Sequence, residues 1–311
     1  MQIERIAALF GVTGISDVTE VTAGHINRTF IVTADGGRYV LQELNRGVFS
    51  SPETVMANIA QTEAALKKCT DICVPHFLDC GDRNYISADG KIWRMYAYCE
   101  GSPCGNELYL TGFSYGTFIR VMSTSDAEIK PVIEGFHDFD RYYDRLAAVC
   151  PAGELPPALT ALRERLADSF RGVPTRIIHG DAKTDNILIG EPCTVLDLDT
   201  VMVGHAAHDY GDMVRSVCMG GADLGSIREL THGFTDGLRG LLTDIEKASL
   251  FSGILWVTGE LALRYLTDFY SEERYFRGKT REQCLGRSRE LLAQLGGFLS
   301  AEADIERIIA E

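Results

Sequence analysis

The chain has 311 residues, of which 45% are hydrophobic and 24% are charged, as in an ordinary globular protein with room for two lobes. Its formal net charge of −14 at pH 7 disfavours a general nucleic-acid binder or a basic membrane-surface protein, because both need an extended positive surface. The N-terminus shows no signal-peptide pattern, and the most apolar later window, residues 251–266, is short and contains Glu260 and Arg264. A cytoplasmic protein without a membrane span is therefore expected, as a monomer or a homodimer.

The cysteine pattern concerns the redox state of the chain. There are nine cysteines, an odd number, and none forms a C-x-x-C pair. Disulfide frameworks and zinc sites usually show even numbers or closely spaced pairs. The pattern therefore predicts free thiols in a reducing compartment.

The first 98 residues show alternating strand and helix signals. Pro52 stands in the first turn of the longest helical pattern, where its missing N–H costs nothing. The predicted elements are a helix at 3–10, strands at 18–22, 27–33 and 38–44, a helix at 51–68, and strands at 85–88 and 92–98. This order predicts a small sheet with one packed helix.

A linker pattern, CEGSPCG, follows at residues 99–105, and most of the later chain has helical periodicity. The predicted helices are 107–122, 138–149, 156–171, 208–218, 223–240, 245–269 and 281–299. We therefore expect an α+β protein with an N-terminal lobe at 1–98, a hinge at 99–104 and a larger, mainly helical C-terminal lobe at 105–311.

Residues 176–199, RIIHGDAKTDNILIGEPCTVLDLD, interrupt the helical pattern with strand, loop, strand, turn and strand. The loop has the form H-x-D-x-x-x-x-N and is followed by D-x-D, which is the spacing of a kinase catalytic loop and its metal-binding aspartate. Asp and Asn are also common in plain turns, so an ordinary strand connection is the alternative. The flanking strands and the second motif favour the kinase interpretation and a two-lobed protein-kinase-like fold.

Phosphoryl transfer needs a carboxylate on the attacking hydroxyl, oxygen ligands for Mg²⁺ and a cation for the phosphates. Asp181 can supply the first, Asn186 and Asp197 the second, and Lys183 the third. His179 is assigned a structural role, in which hydrogen bonds hold the loop.

The N-terminal lobe carries the candidate nucleotide contacts. Gly24 and Asn27 lie in the turn AGHIN between two predicted strands, where the backbone could cover phosphates. Gln42 stands on the third strand where protein kinases carry a lysine, and Glu63 on the next helix is its expected partner. Because glutamine brings no charge, a nucleotide-binding pseudokinase is the alternative to an active enzyme; the complete set around Asp181 favours activity.

Two further polar clusters have competing interpretations. His205, His208, Asp209 and Asp212 could form a metal-dependent phosphohydrolase site, but the strand-rich flanks favour Asp209 as a brace for the catalytic loop. Glu260, Arg264 and Asp268 recur at i+4 spacing on one helix face. They form either an ion-pair ladder or a polar wall facing a substrate.

The segments GHIN, YVLQELN, HGDAKTDN and LDLDTVMVGHAAHDYGD together resemble the aminoglycoside phosphotransferase and choline kinase superfamily. Within that superfamily the likeness is nearest to bacterial N-acetylhexosamine 1-kinases, whose members also carry glutamine on the third strand. The resemblance covers nearly the whole chain. It implies a kinase that uses ATP and Mg²⁺ to phosphorylate the anomeric 1-OH of a hexosamine, with choline, ethanolamine, homoserine and aminoglycosides as alternative acceptors.

The same resemblance implies roles for individual residues. Asp181 would be the base that deprotonates the sugar hydroxyl, and Asp199 would assist Asn186 and Asp197 at the metal. The backbone around Ala97 and Cys99 would bind adenine. The positions that match sugar contacts in that family are His25, Arg264 and Tyr275.

Overall fold

A computed structural model describes residues 2–21, 26–272, 275–276 and 278–311. The helices of this part of the chain are α1 (Gln2–Leu9), α2 (Pro52–Leu66), α3 (Leu108–Ser123), α4 (Phe139–Val149), α5 (Pro157–Leu166), α6 (Ala206–Val217), α7 (Leu224–Leu238), α8 (Asp244–Tyr270), α9 (Arg281–Ser300) and α10 (Glu302–Ala310). Short 3-10 turns lie at Thr184–Asn186 and Leu198–Thr200.

The strands are β1 (Asp17–Val21), β2 (Arg28–Ala34), β3 (Gly37–Glu43), β4 (Ile72–Cys73), β5 (Ile86–Ala88), β6 (Lys91–Ala97), β7 (Ser102–Pro103), β8 (Arg176–Ile178), β9 (Ile187–Ile189), β10 (Cys193–Val195) and β11 (Met202–Gly204). They form a five-stranded sheet in the order β1-β2-β3-β6-β5, a four-stranded sheet in the order β4-β10-β9-β7, and the pair β11-β8.

The five-stranded sheet is antiparallel and has two different faces. Its apolar face includes Phe30, Leu41 and Met95, which form a core cluster with Ile6 and Phe10 at the N-terminal end of the chain. Successive strand residues point to opposite faces, so the residues between these side chains face the other way. The opposite face therefore carries a row of polar side chains.

That polar row is fixed by strand register. Thr29 on β2 lies opposite Gln42 on β3, and Gln42 lies opposite Arg94 on β6. Directly opposed residues on neighbouring strands are within side-chain contact. The sheet thus presents a hydroxyl, an amide and a guanidinium side by side.

A larger core holds the rest of the molecule together, and α2 belongs to it. Val55 and Met56 of α2 are fully buried in the same hydrophobic cluster as Phe118 of α3. Helices α6 and α8 approach closely at two glycines. A Cβ at Gly211 would lie only 2.3 Å from the carbonyl oxygen of Gly253, so a larger residue does not fit there. This contact brings the polar faces of α6 and α8 next to each other.

The structure confirms the predicted α+β class, with a small sheet lobe and a larger helical region. Helix α10 was not predicted; it buries Ile305 and Ile308 after a break at Ala301. The predicted hinge contains β7, which pairs with β9, and the lobe boundaries at residues 98 and 104 stay a prediction. The structure joins none of the described cysteines in a disulfide, and the reducing compartment stays a prediction. In the described chain, no helix is both long enough and apolar enough to cross a membrane.

Candidate active site

The predicted catalytic loop follows β8 and is held by backbone hydrogen bonds to one buried carboxylate. The N–H groups of His179 and Gly180 donate to the two oxygens of Asp209 at 2.7 and 2.8 Å. Gly180 has φ +81°, and a Cβ there would lie 2.4 Å from the carbonyl oxygen of Thr200, so only glycine fits. The predicted bracing role of Asp209 is confirmed.

His179 also has the predicted structural role. Its Nε2 donates to the carbonyl oxygen of Leu196 at 2.8 Å, and the backbone N–H of Asp181 donates to its Nδ1 at 3.3 Å. The ring meets Tyr115 and Phe118 edge-on. His179 therefore joins the loop to the segment that follows β10.

Asp181 lies at the centre of the loop with two donors on one of its oxygens. Lys183 Nζ is 2.5 Å from Oδ2 and Asn186 Nδ2 is 3.0 Å from it. Burial opposes ionisation, but the Lys183 ammonium and the Asn186 amide outweigh it and lower the pKa of Asp181. The group is thus a carboxylate at neutral pH, ready to accept a hydrogen bond from a hydroxyl.

The oxygen donors beside Asp181 fit a hard divalent cation. Asn186 uses its Nδ2 on Asp181, which leaves its side-chain oxygen as a possible metal ligand. Asp197 has the left-handed backbone conformation, with φ 56°. Burial and the nearby carboxylates of Asp199 and Asp181 raise the pKa of Asp197 to about 6. The raised pKa means that the surroundings of Asp197 supply too little positive charge to offset its burial. A bound cation would supply that charge, and Mg²⁺ prefers carboxylate and amide oxygens as ligands.

Asp199 is engaged by protein donors. Both of its oxygens accept from Arg94, the Nη2–Oδ2 distance being 3.0 Å, and Oδ2 also accepts from Asn27 Nδ2 at 2.8 Å. The Arg94 and Asp199 side chains are only 3% exposed. This arrangement favours a structural role for Asp199 over the predicted assistance at the metal.

Gln42 does not pair with Glu63, so the expected strand–helix pair is corrected. Gln42 Nε2 donates to Thr29 Oγ1 at 3.1 Å, and its Oε1 accepts from Arg94 Nε at 2.9 Å. Glu63 instead accepts from the backbone N–H of Phe77 and hydrogen bonds to His76. The sheet cation is therefore Arg94, one strand over from Gln42.

Sequence reasoning missed Arg94, although a signal was present. It is the charged residue in the middle of the strand KIWRMYA, between the apolar pairs Ile92-Trp93 and Met95-Tyr96. A buried charge needs a partner, and Asp199 provides it.

One cavity of about 630 Å³ joins the polar face of the sheet to the helical region. Its lining includes Asn27, Gln42 and Arg94 on the sheet side, together with Asp181, Lys183, Asn186 and Asp197. The lining includes Tyr96 near the end of β6 but neither Ala97 nor Cys99, so the predicted contact of these two residues with adenine stays a prediction. Gly24 and His25 lie outside the described residues. The volume suits a nucleotide and a small second substrate.

His137 joins the catalytic loop to α8. One ring nitrogen, Nδ1, lies 2.8 Å from Glu260 Oε2, and the other, Nε2, lies 3.0 Å from the carbonyl oxygen of Gly180. Because both partners are acceptors, both ring nitrogens donate and the ring is an imidazolium. Burial opposes this charge, but Glu260 outweighs it and raises the pKa of His137. The residue next to the base is thus tied to the helix that forms the far wall of the cavity.

Arg264 and Tyr275 lie together in that wall. The Arg264 guanidinium is 4.6 Å from the centre of the Tyr275 ring and 3.5 Å from Glu260 Oε1. Asp268, the other predicted partner of Arg264, instead accepts from the backbone N–H groups of Tyr275 and Phe276 at 3.0 and 2.7 Å. Arg264 therefore takes part in an ion pair and also lines the cavity.

The alternative metal site of a phosphohydrolase finds no support in the structure. No group of three or more His, Cys, Asp or Glu side chains in the described chain is arranged to hold a metal ion. His205 hydrogen bonds to the carbonyl oxygen of Pro174, and Asp212 accepts from Arg215. These residues serve packing and ion pairing.

Comparison with known structures gives a consistent result for the fold. A microcompartment-associated aminopropanol kinase superposes with a TM-score of 0.73 at 16% identity, covering 98% of each chain. A choline/ethanolamine kinase family protein from Mesorhizobium loti gives 0.69 at 15% identity, covering 99% of this chain and 98% of that chain. An amicoumacin kinase in complex with AMP-PNP and Ca²⁺ gives 0.69 at 13% identity, covering 96% and 94%.

The amino-acid sequence also matches a family model. The model of the phosphotransferase enzyme family, APH, matches residues 17–240, a span that contains the five-stranded sheet, the catalytic loop and Asp197. The chain belongs to the APH phosphotransferase enzyme family.

Proposed function

We propose that the protein is a Mg²⁺-dependent kinase that transfers the γ-phosphate of ATP to a hydroxyl group of a small molecule. The observation that carries the proposal is the convergence of Asp181, Asn186 and Asp197 in the lining of one cavity. Family membership and the structural likeness to kinases support it. The finer proposal is a sugar 1-kinase that acts on the anomeric hydroxyl of an N-acetylhexosamine.

The chemistry assigned to the chain is modest, because phosphoryl transfer depends mainly on positioning and charge. Asp181 orients the acceptor hydroxyl and takes its proton as the oxygen attacks the γ-phosphorus and the bond to the ADP oxygen breaks. Lys183, beside Asp181, supplies positive charge to the transferring group. Mg²⁺, held by Asn186 and Asp197, would neutralise the phosphate oxygens.

The acceptor end of the cavity is bounded by Arg264 and Tyr275. A guanidinium can donate to two sugar oxygens in parallel, and tyrosine offers both a hydroxyl and an apolar face. These side chains support a hydroxyl-rich acceptor.

A phosphate-transfer assay tests the proposal. The protein is incubated with radiolabelled ATP and Mg²⁺ and with N-acetylglucosamine, N-acetylgalactosamine, choline, homoserine or kanamycin in separate reactions. Asp181→Asn should lower turnover by at least about 10²-fold with nucleotide affinity retained, since it removes the base and keeps the proposed metal ligands. Near-normal turnover in this variant contradicts the assignment, and ATP binding without transfer to any alcohol identifies a pseudokinase.

A further inference from the structure

We propose that the acceptor end of the cavity recognises an anionic group, a carboxylate or a phosphate ester, on the compound that is phosphorylated. The inference rests on the proposed kinase function but departs from its finer form, because an N-acetylhexosamine carries no anionic group. Three arginines, Arg215 on α6, Arg264 on α8 and Arg287 on α9, line this end of the cavity. Their convergence is notable in a chain whose formal net charge is −14.

The first supporting observation is that an aromatic cage is already filled by a cation of the protein. The Arg264 guanidinium lies 4.6 to 5.5 Å from the ring centres of Phe136, Tyr142, Tyr275 and Phe276. Cages of this kind bind quaternary ammonium groups when they are open. A cationic acceptor would therefore meet a guanidinium in place of the ring faces.

The second observation is a buried hydroxyl beside the arginines. Tyr265 stacks on Phe276 with ring centres 3.9 Å apart, and it lines the same cavity. Burial raises the pKa of Tyr265, while Arg287, Arg264 and Arg215, which line the same cavity, each act to lower it. The net pKa stays raised, and the hydroxyl is a protonated donor that can join the guanidinium groups on one anion.

The third observation is the incomplete pairing of the positive charges. Glu260 is shared between His137 on one oxygen and Arg264, at 3.5 Å, on the other. Arg287 pairs with Glu290, whose side chain is 62% exposed and therefore screened by water.

Arg215 is also incompletely matched. Its Nε and Nη2 both donate to the same oxygen of Asp212, at 2.8 and 2.6 Å, which is not the two-oxygen pairing that a carboxylate can offer. Counted with the His137 imidazolium, four positive groups of the wall share three carboxylates, those of Asp212, Glu260 and Glu290, which leaves one net positive charge. A cleft with an excess of one charge attracts ligands of the opposite sign.

The arginines share their electrostatic environment with the proposed base. Burial opposes charge on Arg215 and Arg264. Asp212 outweighs it for Arg215, and Tyr142, Tyr275 and Glu260 outweigh it for Arg264, so the pKa of both is raised, with a further contribution from Asp181. Both arginines and Asp181 line the same cavity, so an anion bound by these arginines would share that cavity with the attacking hydroxyl. This geometry fits a small acceptor that carries its hydroxyl and its anionic group on one compact frame, such as a sugar acid or a sugar phosphate.

The test uses sugars that differ in charge at a single carbon. Glucose, glucuronate and glucose 6-phosphate all keep the anomeric hydroxyl and differ only at C6; N-acetylglucosamine and its 6-phosphate form a second series. Dissociation constants are measured by calorimetry in the presence of AMP-PNP and Mg²⁺, and phosphate transfer is measured separately with ATP. We expect an anionic member to bind at least about tenfold more tightly than its neutral counterpart, with a preference that weakens as salt is added.

Arg287→Gln is the informative variant. The Arg287 side chain is 23% exposed, against 12% for Arg264 and 9% for Arg215, so its loss should disturb folding least. It should reduce the preference for the anionic sugar by about tenfold, because the affinity for the anionic sugar falls more than the affinity for the neutral sugar. Arg289→Gln, on the exposed face of the same helix, is the matched control and should change neither affinity.

Each outcome decides the matter. Equal affinity for neutral and anionic sugars overturns the inference, and so does binding of none of the five compounds. The inference also fails if Arg287→Gln lowers the affinity for AMP-PNP as much as the affinity for the sugar, because the arginine would then belong to the nucleotide site. Preferential binding of an anionic sugar without phosphate transfer supports the anion site and rejects the kinase function. Phosphate transfer to neutral and anionic sugars with equal efficiency supports the kinase function and rejects the anion site. The relative affinity of glucuronate and glucose 6-phosphate identifies which anion the site prefers.

Discussion

His137 and Glu260 form a buried ion pair, 2.8 Å long, that connects the catalytic loop to the acceptor wall. The same imidazolium donates to the carbonyl oxygen of Gly180, the residue before the proposed base. Asp212 on α6 also raises the pKa of His137. The ring of His208 packs beside that of His137, with the ring centres 4.8 Å apart. His137 is therefore a positioning residue whose charge state governs the placement of Asp181.

The first prediction concerns pH. The pKa of His137 is raised above its ordinary value of 6.5, so its stabilising contribution is complete below pH 6.5 and is lost as pH rises through the folded pKa. A neutral ring can donate to only one of its two acceptors, and turnover should decline on the alkaline side. Glu260→Gln removes the charge that raises this pKa and should move the alkaline decline of kcat to lower pH. Glu306→Gln, an exposed carboxylate on α10, is the control. An unmoved profile in folded Glu260→Gln would reject the role of His137.

The second prediction concerns the buried pair of Arg94 and Asp199. Arg94→Met leaves a carboxylate buried without its cation and should lower the free energy of unfolding by about 3–5 kcal/mol. The exposed pair of Arg38 and Glu100 provides a matched control, and Arg38→Met should cost less than about 1 kcal/mol. Urea unfolding measures both. Equal losses in the two variants would show that the Arg94 pair contributes no more than a surface contact.

The sequence predicted the parts of the site that are contiguous in the chain. Asp181, Lys183 and Asn186 lie within one loop, and their mutual hydrogen bonds follow from local geometry once the loop is recognised. The small sheet and the long helices were also predictable, because periodicity is a local property.

The contacts that sequence reasoning missed join residues far apart in the chain. Arg94 and Asp199 are 105 residues apart, and their pairing depends on strand register and on how the sheet meets the turn at Leu198–Thr200. Glu63 was assigned to Gln42 by analogy with protein kinases. In this chain the amide of Gln42 lies beside Arg94, and Glu63 holds the backbone at Phe77.

The third prediction compares two candidate contacts for the phosphates, Lys183 and Gln42. Lys183 contacts Asp181 directly, whereas Gln42 acts on the site through Arg94. Lys183→Ala should therefore lower kcat by at least about tenfold more than Gln42→Ala, because a charge in a partly buried cleft stabilises the transferring phosphate more than a neutral donor does. Steady-state kinetics with ATP and the best acceptor decide this. Similar losses in kcat would place the principal phosphate contact at the sheet, with Arg94.

The last prediction concerns His208, which is 5% exposed and packs against His137, His205, Phe170 and Trp256. Neither of its ring nitrogens has a hydrogen-bond partner in the described chain. Leaving a buried donor unpaired costs about 1–3 kcal/mol. Phenylalanine has a similar shape without polar atoms, so His208→Phe should raise the free energy of unfolding by about 1 kcal/mol at neutral pH.

The same substitution should also change how stability depends on acid. Burial and the adjacent His137 lower the pKa of His208 well below 6.5, so the unfolded chain takes up a proton that the folded chain does not. Stability that is present above pH 6.5 is consequently lost as pH falls toward the folded pKa, and His208→Phe should remove that part of the acid slope. His232→Phe, at a histidine whose side chain is 48% exposed, is the control and should keep the slope. Urea unfolding of the wild type, His208→Phe and His232→Phe between pH 5 and 8 measures the effect. If His208→Phe is less stable and its free energy of unfolding depends on pH as in the wild type, this histidine is held by a contact that phenylalanine cannot replace.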